Sequence, residues 1–217
     1  MLSDDYCVTV ATRRYEQRER AQAARRTRRR ILDAVGQRLL EAPGEAVTVD
    51  GVARAAGVAR STVYVAFGSR SGLIEAFAHD LLEHGGFERI RAGIRHPDAR
   101  ESARQGIRGG VEAYAEHRDV MRVLHSMVAL DPEGVGATLA ALEAGRARAM
   151  RSLGRRLARQ GALREGVSAP DAAHLLWVLT GFDAFDALFT GRALPADEVV
   201  RLLVGTAERA VFVPDAA

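Results

Sequence analysis

Residues 48–73, TVDGVARAAGVARSTVYVAFGSRSGL, place two short helical patterns around one glycine, and few folds accommodate that arrangement. The first predicted helix starts at Thr48, whose hydroxyl caps the free N–H groups of the first turn, with Asp50 at the positive end of the helix dipole. Val49, Val52, Ala53 and Ala56 recur at helical spacing and make one small apolar face. Gly57 falls where the chain must turn sharply, a place that favours a residue tolerating positive φ, and Val58 plugs the corner. The second predicted helix runs over about 59–67 with Val63 and Phe67 inward, leaving Arg60, Ser61, Thr62, Tyr64 and Val65 near its outer, N-terminal side. Small side chains at Ala53, Ala55 and Ala56 let the two helices cross closely. The pattern is that of a helix-turn-helix, which holds one helix in the DNA major groove. Taken alone, the window also fits an ordinary corner in an all-helical protein.

The neighbouring charge favours the helix-turn-helix, although a charge run by itself is more often a solvated face. Residues 13–30 hold nine Arg against two Glu, whereas 31–78 hold four Arg against five acids. Beyond 78 the balance is again close to neutral, so the net charge of +3 comes from one arm directly before the window. Such an arm, with Arg25, Arg26, Arg28 and Arg29 nearest the head, reads as an electrostatic footprint for phosphates or a minor groove. All 31 basic residues are Arg and none is Lys. Arginine abundance is therefore uninformative here, and its location is what counts.

Over residues 27–77 the chain resembles the N-terminal domain of TetR/AcrR-type bacterial transcriptional regulators. The likeness runs through TRRRILDAVGQRLLEA, AAGVARSTVYVAF and SRSGLIEAF, with Gly57, Val58, Thr62, Tyr64, Phe67 and Leu73 in the family's places. Ile31, Leu32, Val35, Leu39 and Leu40 form the buried side of its first helix, and Pro43-Gly44 end it. The resemblance implies that Thr62 and Tyr64 contact the DNA backbone. It also gives Arg70 the place of the family's usual phosphate-binding Lys, a task Arg performs bidentately. Ala59 departs from the pattern, standing where a Ser N-cap is common, and Ser61 replaces a frequent Gly. Val65 and Ala66 stand where polar or aromatic residues are frequent; Val65 fits either contact with a thymine methyl or inward packing.

The remainder reads as helix throughout. Length allows one large or two small domains, and 47% apolar composition is enough for a core. Ser69 caps a fourth helix carrying Leu73, Ile74, Phe77 and Leu81 before Gly85-Gly86, with a short extension through Ile90 and Ile94. Further helices follow near 98–116 (Ala103, Ile107, Val111, Tyr114) and 118–130 (Val120, Met121, Leu124, Met127, Val128). Next come a long one opened by Pro132, one begun by Ser168–Asp171, and a last begun by Pro195–Glu198. The expected fold is all-α with about nine helices. Its expected organisation is a flexible basic arm over 1–24, a helix-turn-helix DNA-binding domain over 25–77, and an effector-binding and dimerisation domain over 78–217.

Two C-terminal stretches are apolar over more of their circumference than one packing contact uses. In 175–189 the apolar arc is roughly 220°, and in 198–211 roughly 200°. A symmetric partner packed on the second side gives a four-helix dimer interface, expected at Phe185, Leu188, Phe189, Leu203, Ala207 and Ala210. A dimer also suits two operator half-sites. The resemblance places an effector site among the middle helices. The candidates here are Tyr114, Met121, Leu124, His125, Val128, His174 and Trp177, whose apolar walls and few polar tips suit a hydrophobic small molecule.

Catalytic signals are absent. His79 and Glu83 share a helix face, as do Asp183 and Asp186, but no third group stands at metal spacing. No phosphate loop, nucleophile elbow or HExxH motif occurs. No enzyme, cofactor or metal is implied. No apolar run reaches the ~18 residues of a membrane span, MLSDDYCVTV lacks the form of a secretory signal, and the single Cys7 fits a reducing cytoplasm. The expected function is a ligand-responsive, DNA-binding transcriptional regulator. A repressor released from its double-stranded operator is the first form, and an activator or a nonspecific architectural DNA-binding protein the alternatives.

Overall fold

The computed structural model describes residues 4–43, 45–84, 90 and 93–214, with side chains described from 17 onward except 83–84. Its ten α-helices, among the described residues, are α1 (Asp4–Glu41), α2 (Val49–Ala56), α3 (Arg60–Phe67), α4 (Arg70–His84), α5 (Ala99–Glu116), α6 (Arg118–Met127), α7 (Ala137–Arg159), α8 (Ala169–Leu179), α9 (Phe182–Phe189) and α10 (Ala196–Val211). A π turn, Pro132–Gly136, precedes α7. The only β feature among these residues is an isolated antiparallel bridge between Leu163 and Phe212. Contacts divide the chain into two compact units, Met1–Phe77 and Ala78–Ala217, with the boundary inside α4.

In the first unit α1 packs on α2 and α2 on α3. Ile31, Leu32, Ala34, Val35 and Leu39 of α1 are buried with Val52, Val63, Leu73, Ile74 and Phe77. Leu40, expected inside, is half exposed, and Ala34 takes the core position instead. The helix points Ala34, not Leu40, along the same stripe as Ile31 and Val35. Ala55 likewise faces solvent rather than the α2–α3 crossing. The basic stretch expected as a flexible arm over 1–24 is helical where described, continuing α1 upstream to Asp4. Its Ala, Arg, Gln and Glu residues are all strong helix formers.

In the second unit α7 packs on α8, α10 lies against α5 and α8, and α9 touches α5, α8 and α10. Asp98 caps α5 by accepting from the N–H groups of Arg100 (2.7 Å) and Glu101 (3.3 Å). Ser168 and Asp171 form a reciprocal capping box at the start of α8. Two expected continuous helices are interrupted. Asp131 accepts from Gly134 N–H and Val135 N–H, so the turn opened by Pro132 is π before α7 begins. The 175–189 stretch breaks at Thr180–Gly181, with a 45° bend between α8 and α9. There the Thr180 hydroxyl donates back to Leu176 O at 2.7 Å, and Gly181 is extended at φ −81°, ψ 154°. No single helix among the described residues is long and apolar enough to cross a membrane. The expected Gly85-Gly86 break and Gly44 lie outside the described residues, as do the side chains of Cys7 and Glu83.

Candidate functional site

The reading head is built by local chemistry. Thr48 Oγ1 accepts from Gly51 N–H at 3.1 Å, fixing the start of α2. Gly57 ends it in the left-handed region (φ 63°), and the N–H groups of Gly57 and Val58 donate to Arg54 O and Ala53 O. An L side chain is strained at that φ, and a Cβ would also meet the Arg30 guanidinium at 3.2 Å. Ala59, extended at φ −69°, ψ 148°, offers α3 no side-chain cap. Ser69 Oγ accepts from Gly72 N–H at 3.0 Å and caps α4.

On α3, Val63 is buried, Phe67 and Thr62 are half-buried, and Arg60, Ser61, Tyr64 and Val65 face solvent. Val65 is 87% exposed, which settles the sequence alternative in favour of the outward position. The Arg60 guanidinium donates to Asp50 Oδ2 at 3.3 Å and to Tyr64 Oη at 3.2 Å, lying 5.5 Å from the Tyr64 ring centroid. Such exposed pairs add little stability. They do hold the cation at the end of the recognition helix, and Asp50 is a positioning group that the sequence assigned only to the helix dipole.

The expected phosphate contacts divide. Arg28 donates to Ala66 O at 3.0 Å and stacks 4.4 Å over the Phe67 ring, so its cation, although exposed, is engaged at the end of α3. Arg30 does the same for α2, donating to Ala56 O at 2.6 Å. Both supply donors to C-terminal carbonyls that a helix leaves unsatisfied. Arg29 pairs with Asp33 at 2.9 Å, and Arg25 and Arg26 face solvent. Arg70 Nε donates to Val47 O at 2.6 Å, tying the start of α4 to the strand-like entry into α2.

The second unit holds a cavity of about 440 Å³. Ala78, Leu81 and Leu82 from α4, Gly106 and Tyr114 from α5, Met121, Leu124 and His125 from α6, Leu142 to Leu153 along α7, and Leu176 and Thr180 from α8 contribute to its lining. Tyr114, Met121, Leu124 and His125 are thus brought together. Val128, Trp177 and His174 are not: the turn of α6 and the face of α8 carry them outward, each to an exposed position. Tyr114 donates to Thr180 O at 3.3 Å, and burial pushes its phenol up to about 12. His125 Nδ1 lies 2.8 Å from Met121 O, with its ring stacked 4.5 Å from Phe182. Sequence reasoning missed Glu143 and Arg146, a bidentate pair in the wall (3.1 and 2.5 Å) whose Arg also donates to Trp177 O and to Thr180 Oγ1. Their i, i+3 spacing was the available signal.

The expected dimer residues also divide. Phe185, Leu203 and Ala207 are buried inside their own chain, and so cannot meet a partner; the bend at Thr180–Gly181 turns Phe185 inward onto Tyr114 and Phe182. Leu188, Phe189 and Ala210 are half-buried. The large apolar side chains that α8 turns outward are Leu175, Trp177 and Val178, the last 54% exposed. Among the described residues no group of three His, Cys, Asp or Glu side chains is placed to hold a metal ion.

A family model described as bacterial regulatory proteins, tetR family, matches residues 31–77. The HTH-type transcriptional regulator AlkX of Mycobacterium tuberculosis is 46% identical over 53 residues, which cover 24% of this chain and 25% of that regulator. The matched segment therefore spans only a quarter of the relative's length. Over most of the chain the fold is similar to that of NalD of Pseudomonas aeruginosa, described as the secondary repressor of the MexAB-OprM multidrug efflux pump (TM-score 0.67, 19% identity, 88% of this chain and 98% of that one). It is also similar to a TetR family transcription regulator from Marinobacter aquaeolei (TM-score 0.65, 18% identity, 91% and 100%). Residues 31–77 thus match the tetR family of bacterial regulatory proteins in sequence, and the fold along most of the chain is similar to that of these solved regulators.

Proposed function

We propose that the protein is a homodimeric transcriptional regulator of the cytoplasm, a repressor that a hydrophobic small molecule releases from its double-stranded DNA operator. The observation that carries the reading is the outer face of α3. Val65 is an apolar, β-branched side chain left 87% exposed beside Arg60, Ser61 and Tyr64. That combination serves no core. It offers a methyl surface to thymine and a braced guanidinium to a guanine edge or phosphate. Exposed Leu175, Trp177 and Val178 supply an apolar face for the second copy. NalD, similar in fold, is described as a repressor, which favours repression over activation.

The release step rests on α4. Its first half buries Leu73, Ile74 and Phe77 in the first unit, and Ala78, Leu81 and Leu82 line the cavity of the second. A ligand that favours one position of these side chains biases the helix that carries the head. The shift in operator affinity equals the ligand's differential affinity for the bound and free states and no more.

The test is a mobility-shift titration on an operator selected from genomic DNA. Arg60→Ala with Tyr64→Ala should lower operator affinity at least ~10-fold with helicity unchanged, since a specific base contact is worth ~1–3 kcal/mol. Unchanged affinity removes α3 as the reading helix. A salt series distinguishes the architectural alternative, for which the preference for the operator over random DNA would be small at every ionic strength.

A further inference from the structure

We propose that the ligand of the cavity is an uncharged amphiphile: an apolar body carrying one hydroxyl-type hydrogen-bond donor directed at His125. This rests on the reading of the cavity as the effector site and names the chemical class it takes.

The walls are aliphatic over most of their extent, with Leu81, Leu82, Leu142, Leu153 and Leu176 among them. The carboxylate and guanidinium in the lining are Glu143 and Arg146, and they neutralise each other. Arg146 Nε and Nη2 donate to the two oxygens of Glu143, and Nη1 donates to Trp177 O and Thr180 Oγ1. The remaining face of the guanidinium lies 4.8 Å from the Trp177 ring centroid. An anionic ligand must draw Arg146 away from Glu143 and leave a carboxylate unpaired. A cationic ligand must do the reverse. Arg146 is 20% and Glu143 41% exposed, so solvent screens the pair in part; the larger cost to an ionic ligand is its own desolvation among aliphatic walls, where each charge it meets is already compensated. The cavity therefore selects against either charge.

The polar anchor follows from the His125 ring. A carbonyl oxygen only accepts, so the 2.8 Å contact with Met121 O places a proton on Nδ1. In the neutral ring that leaves Nε2 as an acceptor on a residue that lines the cavity. The stack on Phe182 holds the ring plane. A ligand hydroxyl donating to Nε2 satisfies it, and an ether or ketone does not. At ~30 Å³ for each water-sized unit, the cavity holds roughly 15 non-hydrogen atoms.

The experiment is isothermal titration of the full chain at neutral pH with decanol, decanoate and decylammonium, which share one apolar body and fit that size. Decanol should bind at least ~10-fold tighter than either ion. His125→Phe, which keeps the stack on Phe182, should weaken decanol about 5-fold, and His125→Gln, which restores an acceptor, should recover part of the loss. Gly106→Leu should abolish decanol binding, because a Cβ there meets no atom within 4 Å and the added side chain fills the cavity. Equal or tighter binding of decanoate or decylammonium overturns the uncharged class and leaves the cavity as the effector site. Binding of none of the three, or undiminished binding to the Gly106→Leu variant, overturns the effector reading of the cavity itself.

Discussion

Two glycines in the second unit make opposite predictions, and their contrast tests how α7 and α8 are held. In a helix interior, replacing Gly by Ala ordinarily stabilises by ~1 kcal/mol through the unfolded chain. Gly106 in α5 is such a site: a Cβ there meets nothing within 4 Å. Gly154 in α7 is not. A Cβ on it would run into the Ala169 carbonyl oxygen at the first turn of α8, with Ala169 C and Ala173 Cβ behind it at 3.4 Å. Backbone held by the Ser168–Asp171 capping box does not swing away as a flexible side chain would, so the helices must part by roughly 1 Å to restore contact distance. The interface they share buries Leu153, Leu157, Ala172, Ala173 and Leu176. Overpacking of this kind reaches ~3 kcal/mol, and after the ~1 kcal/mol helix gain the net loss is ~2 kcal/mol. For a chain of this size that lowers Tm by ~4–8 °C, while Gly106→Ala raises it by ~2–4 °C. Calorimetry and urea titration followed by far-ultraviolet dichroism read both. A neutral or stabilising Gly154→Ala would mean that α7 and α8 are not held in close approach at this glycine.

Ala59→Ser supplies the missing cap of α3 at a position already extended, and should stabilise the first unit by ~1 kcal/mol in urea titration. Asp171 is held below the usual carboxylate range by the Ser168 hydroxyl and N–H. A depressed folded-state value gives stability that is present above the ordinary ~3.9 and is lost as pH falls through the lower folded value; Asp171→Asn should therefore flatten the acid limb of the Tm–pH profile. Tyr114 is raised instead, so its contribution is whole below ~10 and disappears as pH rises through about 12. Subtracting the ultraviolet titration of Tyr114→Phe from that of the wild type should isolate this late component, and a component at the ordinary value would contradict the burial argument. Arg28→Ala should lower Tm as well as operator affinity, whereas Arg26→Ala should leave Tm in place and flatten the salt slope of DNA binding by ~1.

The head was legible because its signals are local. A Thr before a helical pattern, a Gly where φ turns positive, and an Ala where a cap is missing each state their geometry within three or four residues. The second unit was legible in its helices but not in its faces. The 175–189 stretch has apolar side chains around most of its circumference, and no periodicity argument shows which of them turn inward once the helix breaks. The break is set at Thr180, whose hydroxyl bonds back to Leu176 O within its own helix but whose contacts with Arg146 of α7 and Tyr114 of α5 come from far along the chain. The bend reassigns Phe185 from partner surface to core, and the face of α8 that precedes it puts Trp177 outside the cavity.

The arginines carry the same lesson further. A chain with 31 Arg and no Lys or Asn has few residues of the type that commonly ends a helix, apart from Gly. Guanidinium groups take over much of that work. Arg30 reaches the last carbonyl of α2, Arg28 the end of α3, Arg146 the end of α8, and Arg164 the Arg209 carbonyl near the end of α10 at 2.8 Å. Each cation sits where the helix dipole is negative and where carbonyls lack intrahelical partners. Long reach and five donors let an Arg do this from another helix, which a Gly or Asn at the terminus cannot. The basic arm is therefore not a uniform phosphate surface. All five are exposed along α1, yet Arg28 and Arg30 reach across to close the helix-turn-helix, whereas Arg25, Arg26 and Arg29 do not. The charge that marks the head as a DNA binder is, in part, the charge that holds the head together.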